Sequence, residues 1–207
     1  MAAQHLEVHS LDLRELCTPP RNWIAQVKFL AKQAAKPVHL DGDSTDCREL
    51  TAGGGTTYKV VTGNSIAEHL PWLMQLYKVG LANSVSKLVS RRVSPSENDR
   101  YGVNINVVEG IGGRYEWHVD PSPIAAILFV TAHYPGSGGE LALHADGELM
   151  RIYPKPGLIV VFPGKEVEHS VLPLEENTAR ISIPMIYYYE DEKQYFPREL
   201  DDYLYGG

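Results

Sequence analysis

The chain has 207 residues, a formal net charge of −7 at pH 7, and apolar and charged shares of 43% and 22%. This length suffices for one domain with a sizeable core, and the composition is that of an ordinary soluble domain. No apolar run is long enough to span a bilayer, and the acidic balance disfavours nucleic-acid binding, which normally requires a basic patch. A small molecule or a peptide is therefore the expected substrate.

The N-terminus and the cysteines favour a cytoplasmic protein. Residues 1–16 lack the basic start and apolar stretch of a signal peptide. The two cysteines, Cys17 and Cys47, have no partner at metal-ligand spacing, so we expect them to be reduced and structural. We find no internal repeat and no linker, which predicts a single domain over residues 1–207.

The first hundred residues carry helical patterns. Residues 21–36 place apolar side chains at helical spacing before Pro37. Residues 65–91 carry a second apolar stripe that starts from a capping-box sequence, SIAE, and predicts two helices or one interrupted near Gly80. In the loop-like stretch 39–61, TTYKVV predicts a strand. The Gly-rich TAGGGTTY is either a lid that closes over substrate or an uninvolved surface loop.

From residue 101 the pattern changes to short β-rich runs separated by turn signals. The eight runs are VNINVVE, RYEWHV, IAAILFVTA, ELALH, ELMRIYP, LIVVF, EHSVLPL and ARISIPMIYYY. Such regular spacing predicts an antiparallel sandwich or barrel over residues 101–189, with helices at its N-terminal side. The acidic, aromatic tail 190–207 is expected to be solvated or mobile, or to dock on its own sheet or on a second subunit of a homodimer.

One pair of polar residues has the spacing of metal ligands. His118 and Asp120 are two positions apart, so a strand would present both side chains on one face. His169 lies on the seventh predicted strand, which an eight-stranded sandwich can place beside the second. Two imidazoles and one carboxylate on one face of an octahedral metal leave three positions open, as in non-haem Fe(II) oxygenases. We therefore predict a metal site at these three residues.

A second His-x-Asp pair, His144 and Asp146, is predicted to be structural. It precedes Gly147 between two strand-like runs, and Asp-Gly is a strong signal for a two-residue hairpin. His133 is likewise expected to be an ordinary sheet or loop histidine. Trp117 is expected to pack on the outer face of the sheet.

The eighth and first predicted strands add further candidates. Arg180 and Ser182 share one face of a strand that is otherwise rich in Ile, Met and Tyr. A buried arginine is unfavourable unless it meets an anion, which predicts a bound carboxylate or, alternatively, a structural salt bridge. Asn104 and Asn106 share a face of the first strand, and buried amides need partners. We predict that both contact a ligand, or else form structural hydrogen bonds.

Two residues before the predicted metal site are candidates for substrate contact. By the period-two rule, Arg114 and Glu116 share the face of His118 and would line the mouth of the pocket. A bulge between this stretch and His118 would reverse that inference.

Taken together, these motifs resemble a known enzyme family. GRYEWHVD, SGGELALH, KPGLIVVFPG, EHSVLPL and ARISIPMIYYY occur in the order and spacing of the 2-oxoglutarate- and Fe(II)-dependent oxygenases, and look most like the prolyl-hydroxylase-like branch. The resemblance implies a double-stranded β-helix, the cupin-like jelly roll. It assigns the iron to His118, Asp120 and His169, and the cosubstrate to Arg180 and Ser182. We add Asn104 and Asn106 to the cosubstrate candidates because of their shared strand face. Tyr115 also matches the branch and joins the substrate candidates.

The resemblance also implies the reaction. Fe(II), 2-oxoglutarate and O2 would serve hydroxylation of an unactivated C–H bond, with release of succinate and CO2. The carboxylate of Asp120, which related halogenases lack, favours hydroxylation. The expected substrate is a small amino-acid-like or natural-product molecule. The alternatives are a prolyl-hydroxylase-type enzyme acting on a peptide or protein, and a non-catalytic cupin-like metal-binding or sensor domain.

Overall fold

The computed structural model describes residues 7–40, 56–145 and 147–194. The strands in these ranges are β1 (His9–Asp12), β2 (Lys36–Leu40), β3 (Thr56–Val61), β4 (Val93–Pro95), β5 (Ile105–Glu109), β6 (Tyr115–His118), β7 (Ile124–Phe129), β8 (Leu141–Ala145), β9 (Glu148–Ile152), β10 (Leu158–Pro163), β11 (Glu168–Val171) and β12 (Ala179–Tyr189). The helices are α1 (Leu13–Leu16), α2 (Trp23–Ala34), α3 (Gly63–His69), α4 (Pro71–Gln75), a π-helix (Leu76–Leu81), α5 (Ala82–Leu88) and α6 (Asp99–Gly102). None of these helices is long and apolar enough to cross a membrane.

Two antiparallel sheets form the core of the fold. The larger sheet has eight strands in the order β1-β10-β7-β12-β5-β3-β2, with β4 paired to β12 beside this path. The smaller sheet has the order β6-β11-β8-β9. Residues of β5, β7 and β12 from the larger sheet and of β6, β8 and β11 from the smaller one line a common cavity. This arrangement confirms the predicted jelly-roll architecture.

All eight strand runs predicted after residue 101 contain an observed strand, and TTYKVV forms β3. Three strands were not predicted. β2 contains Pro37 and lies at the end of the larger sheet, where a missing backbone N–H is tolerated. β4 has three residues and β1 has four, so neither shows a measurable alternation of polar and apolar residues.

The outer face of the larger sheet is covered by the helices. Strand β7 is buried at every position because its two faces contact different cores. Ile124, Ala126 and Leu128 join the helical residues in one apolar cluster. Ala125 and Ile127 belong to a second cluster inside the jelly roll. A strand buried on both faces loses the polar alternation of a half-exposed strand.

The helical predictions hold with one correction. Residues 21–36 contain α2, and residues 65–91 form a series broken at Pro71 and again by the π-helix, which includes Gly80. The capping-box prediction at SIAE is wrong, because α3 already begins at Gly63. A Cβ atom on this glycine would lie 1.7 Å from the backbone oxygen of Asp99, so only glycine permits this close approach.

The described part of the C-terminal tail is exposed but bonded to the body of the protein. The side chain of Arg91 pairs with Asp191 and Glu192, and its guanidinium lies over the ring of Tyr189. Gln194 accepts a hydrogen bond from the backbone N–H of residue 97. The rest of the tail lies outside the described residues, as do Cys47 and the greater part of the predicted lid.

Candidate active site

The three predicted metal ligands come together at the junction of β6 and β11. His118 ends β6 and is the direct strand partner of His169 on β11, while Asp120 follows two residues after His118. Asp120 Oδ1 lies 3.7 Å from His118 Nε2, and Oδ2 lies 3.8 Å from His169 Nε2. One ligand atom from each residue lies within 4.8 Å of the others. A single cation can therefore contact all three side chains.

Backbone carbonyls orient both imidazoles. His118 Nδ1 lies 2.8 Å from the oxygen of Glu116, and His169 Nδ1 lies 3.0 Å from the oxygen of Val167. Each Nδ1 thus carries the proton and donates it, which leaves the Nε2 lone pair for a metal. Burial lowers the pKa of each imidazole to about 4, so both rings are neutral at physiological pH.

The carboxylate completes a donor set that fits Fe(II). Burial raises the pKa of Asp120, because loss of water disfavours the charged carboxylate, and nearby His118 offsets part of this effect. Two neutral nitrogens and one buried carboxylate are stabilised by a divalent cation, and this ligand set suits non-haem iron.

Gly164 lies directly behind the carboxylate. Its carbonyl oxygen accepts a hydrogen bond from the backbone N–H of Asp120 at 2.8 Å. A Cβ atom at this glycine would lie 2.6 Å from the oxygen of Ser122 and 3.1 Å from Asp120 Cβ. The absence of a side chain therefore lets this turn hold the ligand. The sequence marks this Pro-Gly pair only as part of a motif, and local periodicity carries no signal of the contact.

Arg180 is buried without a carboxylate partner in the part of the chain that the structure describes. Its Nε donates to the backbone oxygen of Gly139 and its Nη1 donates to Ser182 Oγ, each at 2.8 Å. Its Nη2 is buried and has no hydrogen-bond partner among the described residues. Burial lowers the pKa of the guanidinium to about 10, so it stays charged. Among the described residues, Arg180 therefore does not form the structural salt bridge that was the alternative prediction.

Arg180 and the predicted ligands line the same cavity, of about 210 Å³. Its polar lining residues include both predicted asparagines, Asn104 and Asn106. Further lining residues are Tyr101, Val108, Tyr115, Pro121, Ala125, Ile127, Leu141, Ser170, Val171, Ser182, Pro184, Met185 and Ile186. Tyr101 and Pro121 lie outside the strands, where the two-residue period gave no signal.

A bulge in β6 changes which substrate candidates reach the cavity. The register between β6 and β11 shifts, so that Tyr115 pairs with Val171 while His118 pairs with His169. The ring centroid of Tyr115 lies 4.5 Å from that of His118, and Tyr115 lines the cavity. Arg114 hydrogen-bonds to Glu116 through its Nε, and neither is among the described residues that line the cavity. The bulge thus reverses the period-two inference.

His133 and His144, the two histidines predicted to be structural, are not members of the ligand cluster. His144 stacks on Trp117 with 4.5 Å between ring centroids, and the β8–β9 hairpin around it confirms the predicted turn, with Gly147 at a φ of 79°. Asp146 itself lies outside the described residues. His133 is buried, and burial followed by the nearby charge of Arg180 lowers its pKa. It therefore adds no second positive charge beside the guanidinium.

Comparison with known proteins gives one family. The model of the 2OG-Fe(II) oxygenase superfamily matches residues 102–188. No curated protein is significantly similar to the chain in sequence.

Solved structures share the fold at low sequence identity. An oxidoreductase of the 2OG-Fe(II) oxygenase family from Burkholderia pseudomallei has a TM-score of 0.63 and 14% identity, over 87% of this chain and 84% of that one. A prolyl-4-hydroxylase from Pseudomonas putida has a TM-score of 0.56 and 17% identity, over 90% and 94%. SnoN, a non-haem α-ketoglutarate-dependent epimerase from nogalamycin biosynthesis, has a TM-score of 0.61 and 11% identity, over 88% and 77%.

The family match spans the strands that carry the histidine pair, Asp120 and Arg180. The fold agrees, and the donor set suits the iron that this family uses. Residues 102–188, which carry all of these side chains, therefore match the 2OG-Fe(II) oxygenase superfamily, whose members use Fe(II), 2-oxoglutarate and O2 as cofactors.

Proposed function

We propose that this enzyme hydroxylates an unactivated C–H bond of a small natural-product or amino-acid-like molecule, with formation of succinate and CO2. The observation that carries the proposal is Arg180, a buried cation with an unpartnered Nη2 in the cavity that also holds the ligand set. A buried guanidinium of this kind requires an anion, and a carboxylate is its best geometric match.

In this proposal the chain binds and orients the reactants. His118, His169 and Asp120 hold the iron, which together with 2-oxoglutarate supplies the activation of O2. Arg180 binds the distal carboxylate of 2-oxoglutarate, and Ser182, already bonded to Nη1, holds the guanidinium in place. The apolar wall formed by β7, β8 and β12 excludes water from the reacting atoms.

The cavity supports a small substrate. Pockets that bury drug-sized molecules measure roughly 300–1,000 Å³, whereas this one measures about 210 Å³ and must also contain the cosubstrate. We place the enzyme in the cytoplasm, in agreement with the sequence analysis.

The first experiment is an anaerobic titration of metal-free protein with Fe(II) and 2-oxoglutarate, followed through the visible charge-transfer band of the chelate. We expect a saturable band that disappears in His118→Ala and requires far more 2-oxoglutarate in Arg180→Ala. His144→Ala and Arg151→Ala are matched controls, because both side chains are exposed.

A screen for succinate release then tests the substrate class. Small natural products and amino acids form one arm, and proline-containing peptides form the other. Turnover with peptides alone would replace our proposal with the peptide hydroxylase. A well-folded, iron-loaded protein without the band would instead support the non-catalytic metal-binding domain.

A further inference from the structure

Asn104 lines the cavity and carries a buried hydrogen-bond acceptor whose orientation is fixed. Its Nδ2 donates to the backbone oxygen of Tyr101 at 3.1 Å. Because that partner is a carbonyl, the amide orientation is determined, and the other atom must be the oxygen. This Oδ1 is buried and has no partner among the described residues, although Asn104 lines the cavity. A buried unpartnered acceptor costs about 1–3 kcal/mol, so its retention indicates a missing donor.

The strand register separates this acceptor from the cosubstrate site. Val108 of β5 is the partner of Arg180 on β12, and Asn106 is the partner of Ser182. Asn104 continues this ladder, because its backbone N–H donates to the oxygen of Pro184 at 3.2 Å. Arg180 Nη1 donates to Ser182 Oγ, so the guanidinium lies near the level of Asn106, and Asn104 lies two residues further, roughly 6.6 Å at about 3.3 Å per residue.

That separation exceeds the length of 2-oxoglutarate. Three bonds of an extended chain span about 3.5 Å, so the four carbon–carbon bonds of a five-carbon dicarboxylate span roughly 5 Å on the same scale. Because the guanidinium itself lies at the level of Asn106, a carboxylate bound to it borders that residue, whereas Asn104 lies one residue pair further along the strands. The two asparagines therefore have different roles, although their shared strand face predicted the same ligand contact for both.

The residues of β12 beside Asn104 are apolar. Pro184 and Ile186 lie on the same face of β12 beyond Ser182 and line the cavity. Among the described lining residues, Arg180 is the only arginine or lysine. A substrate carboxylate near Asn104 would thus be desolvated without a cation, which is strongly unfavourable.

We propose that Asn104 Oδ1 accepts a hydrogen bond from a hydroxyl or amide N–H of the prime substrate, which is largely apolar and carries no carboxylate at this end. This inference rests on the proposed function and narrows it, because it selects uncharged natural-product-type molecules over free amino acids. Asn106, by contrast, borders the cosubstrate.

The test uses probes that share one ring and differ in one group: cyclohexanol, cyclohexanecarboxamide and cyclohexanecarboxylate. Binding is measured by ligand-observed NMR on Zn(II)-loaded protein with 2-oxoglutarate, which needs no turnover. We expect the alcohol and the amide to bind, and the carboxylate to bind at least roughly tenfold more weakly. Equal binding of the carboxylate, or no binding of either neutral probe, would overturn the proposal.

Two matched variants separate the two asparagines. Asn104→Leu should weaken binding of the alcohol by roughly five- to tenfold, the value of one hydrogen bond, and leave 2-oxoglutarate binding unchanged. Asn106→Leu should weaken 2-oxoglutarate binding instead. A loss of 2-oxoglutarate affinity in Asn104→Leu would refute the assignment.

A third variant provides a test that does not depend on the folding of Asn104→Leu. Asn104→Asp is nearly isosteric and should shift the preference toward cyclohexylamine, because it converts the acceptor into an anion. An unchanged order of preference would count against the proposal. The Fe(II)–2-oxoglutarate band is recorded in parallel: a normal band without probe discrimination rejects only this inference, whereas a missing band rejects the proposed function itself.

Discussion

Arg180→Met is expected to abolish cosubstrate binding without destabilising the protein. Burial lowers the pKa of Arg180 from 12.5 to about 10. At about 1.36 kcal/mol per pKa unit, burying this charge costs roughly 3 kcal/mol. Replacement with methionine removes that cost and also removes the hydrogen bonds to Gly139 and Ser182, worth about 1 kcal/mol each. The free energy of unfolding without ligand should therefore stay unchanged or rise by about 1 kcal/mol.

The assay is urea unfolding of the metal-loaded and metal-free proteins with and without 2-oxoglutarate. The free energy of unfolding of the wild-type protein should rise by about 2.7 kcal/mol at a cosubstrate concentration one hundred times Kd. That of the methionine variant should not change with 2-oxoglutarate. Arg151→Met, at an exposed position of β9, is the matched control and should keep the full gain. A loss of more than about 2 kcal/mol in the ligand-free methionine variant would refute the reasoning, because the two lost hydrogen bonds would then outweigh the removed cost of burying the charge. An undiminished gain with 2-oxoglutarate would refute it equally.

Three further predictions concern the surroundings of the site and the core. Gly164→Ala should weaken Fe(II) binding by roughly 10–100-fold in anaerobic calorimetry, because the methyl group displaces Asp120; unaltered affinity would contradict the contact. Tyr77→Phe should cost about 2 kcal/mol and Tyr187→Phe about 1 kcal/mol in urea unfolding, because their hydroxyls make two hydrogen bonds and one; the reverse order would contradict this account. His144→Ala should leave iron affinity unchanged, and a tenfold loss would show that the wrong histidine was excluded.

The sequence by itself determined the strand pattern and the chemistry of the ligand set. Residues two apart on a strand face the same way whichever strand lies alongside. The pairing of Arg180 with Ser182 and the shared direction of the asparagines therefore followed from local periodicity. His169 could also be predicted as the partner of His118, because an eight-stranded sandwich brings its second and seventh strands together.

Only the tertiary structure decided the features that depend on contacts between distant parts of the chain. The start of α3 at Gly63 is set by close approach to Asp99, and the direction of Tyr115 is set by a bulge in the pairing of β6 with β11. The distinct position of Asn104 required the register between β5 and β12. Local periodicity carries no information about register or close approach, because both are set by packing between strands and helices far apart in the sequence.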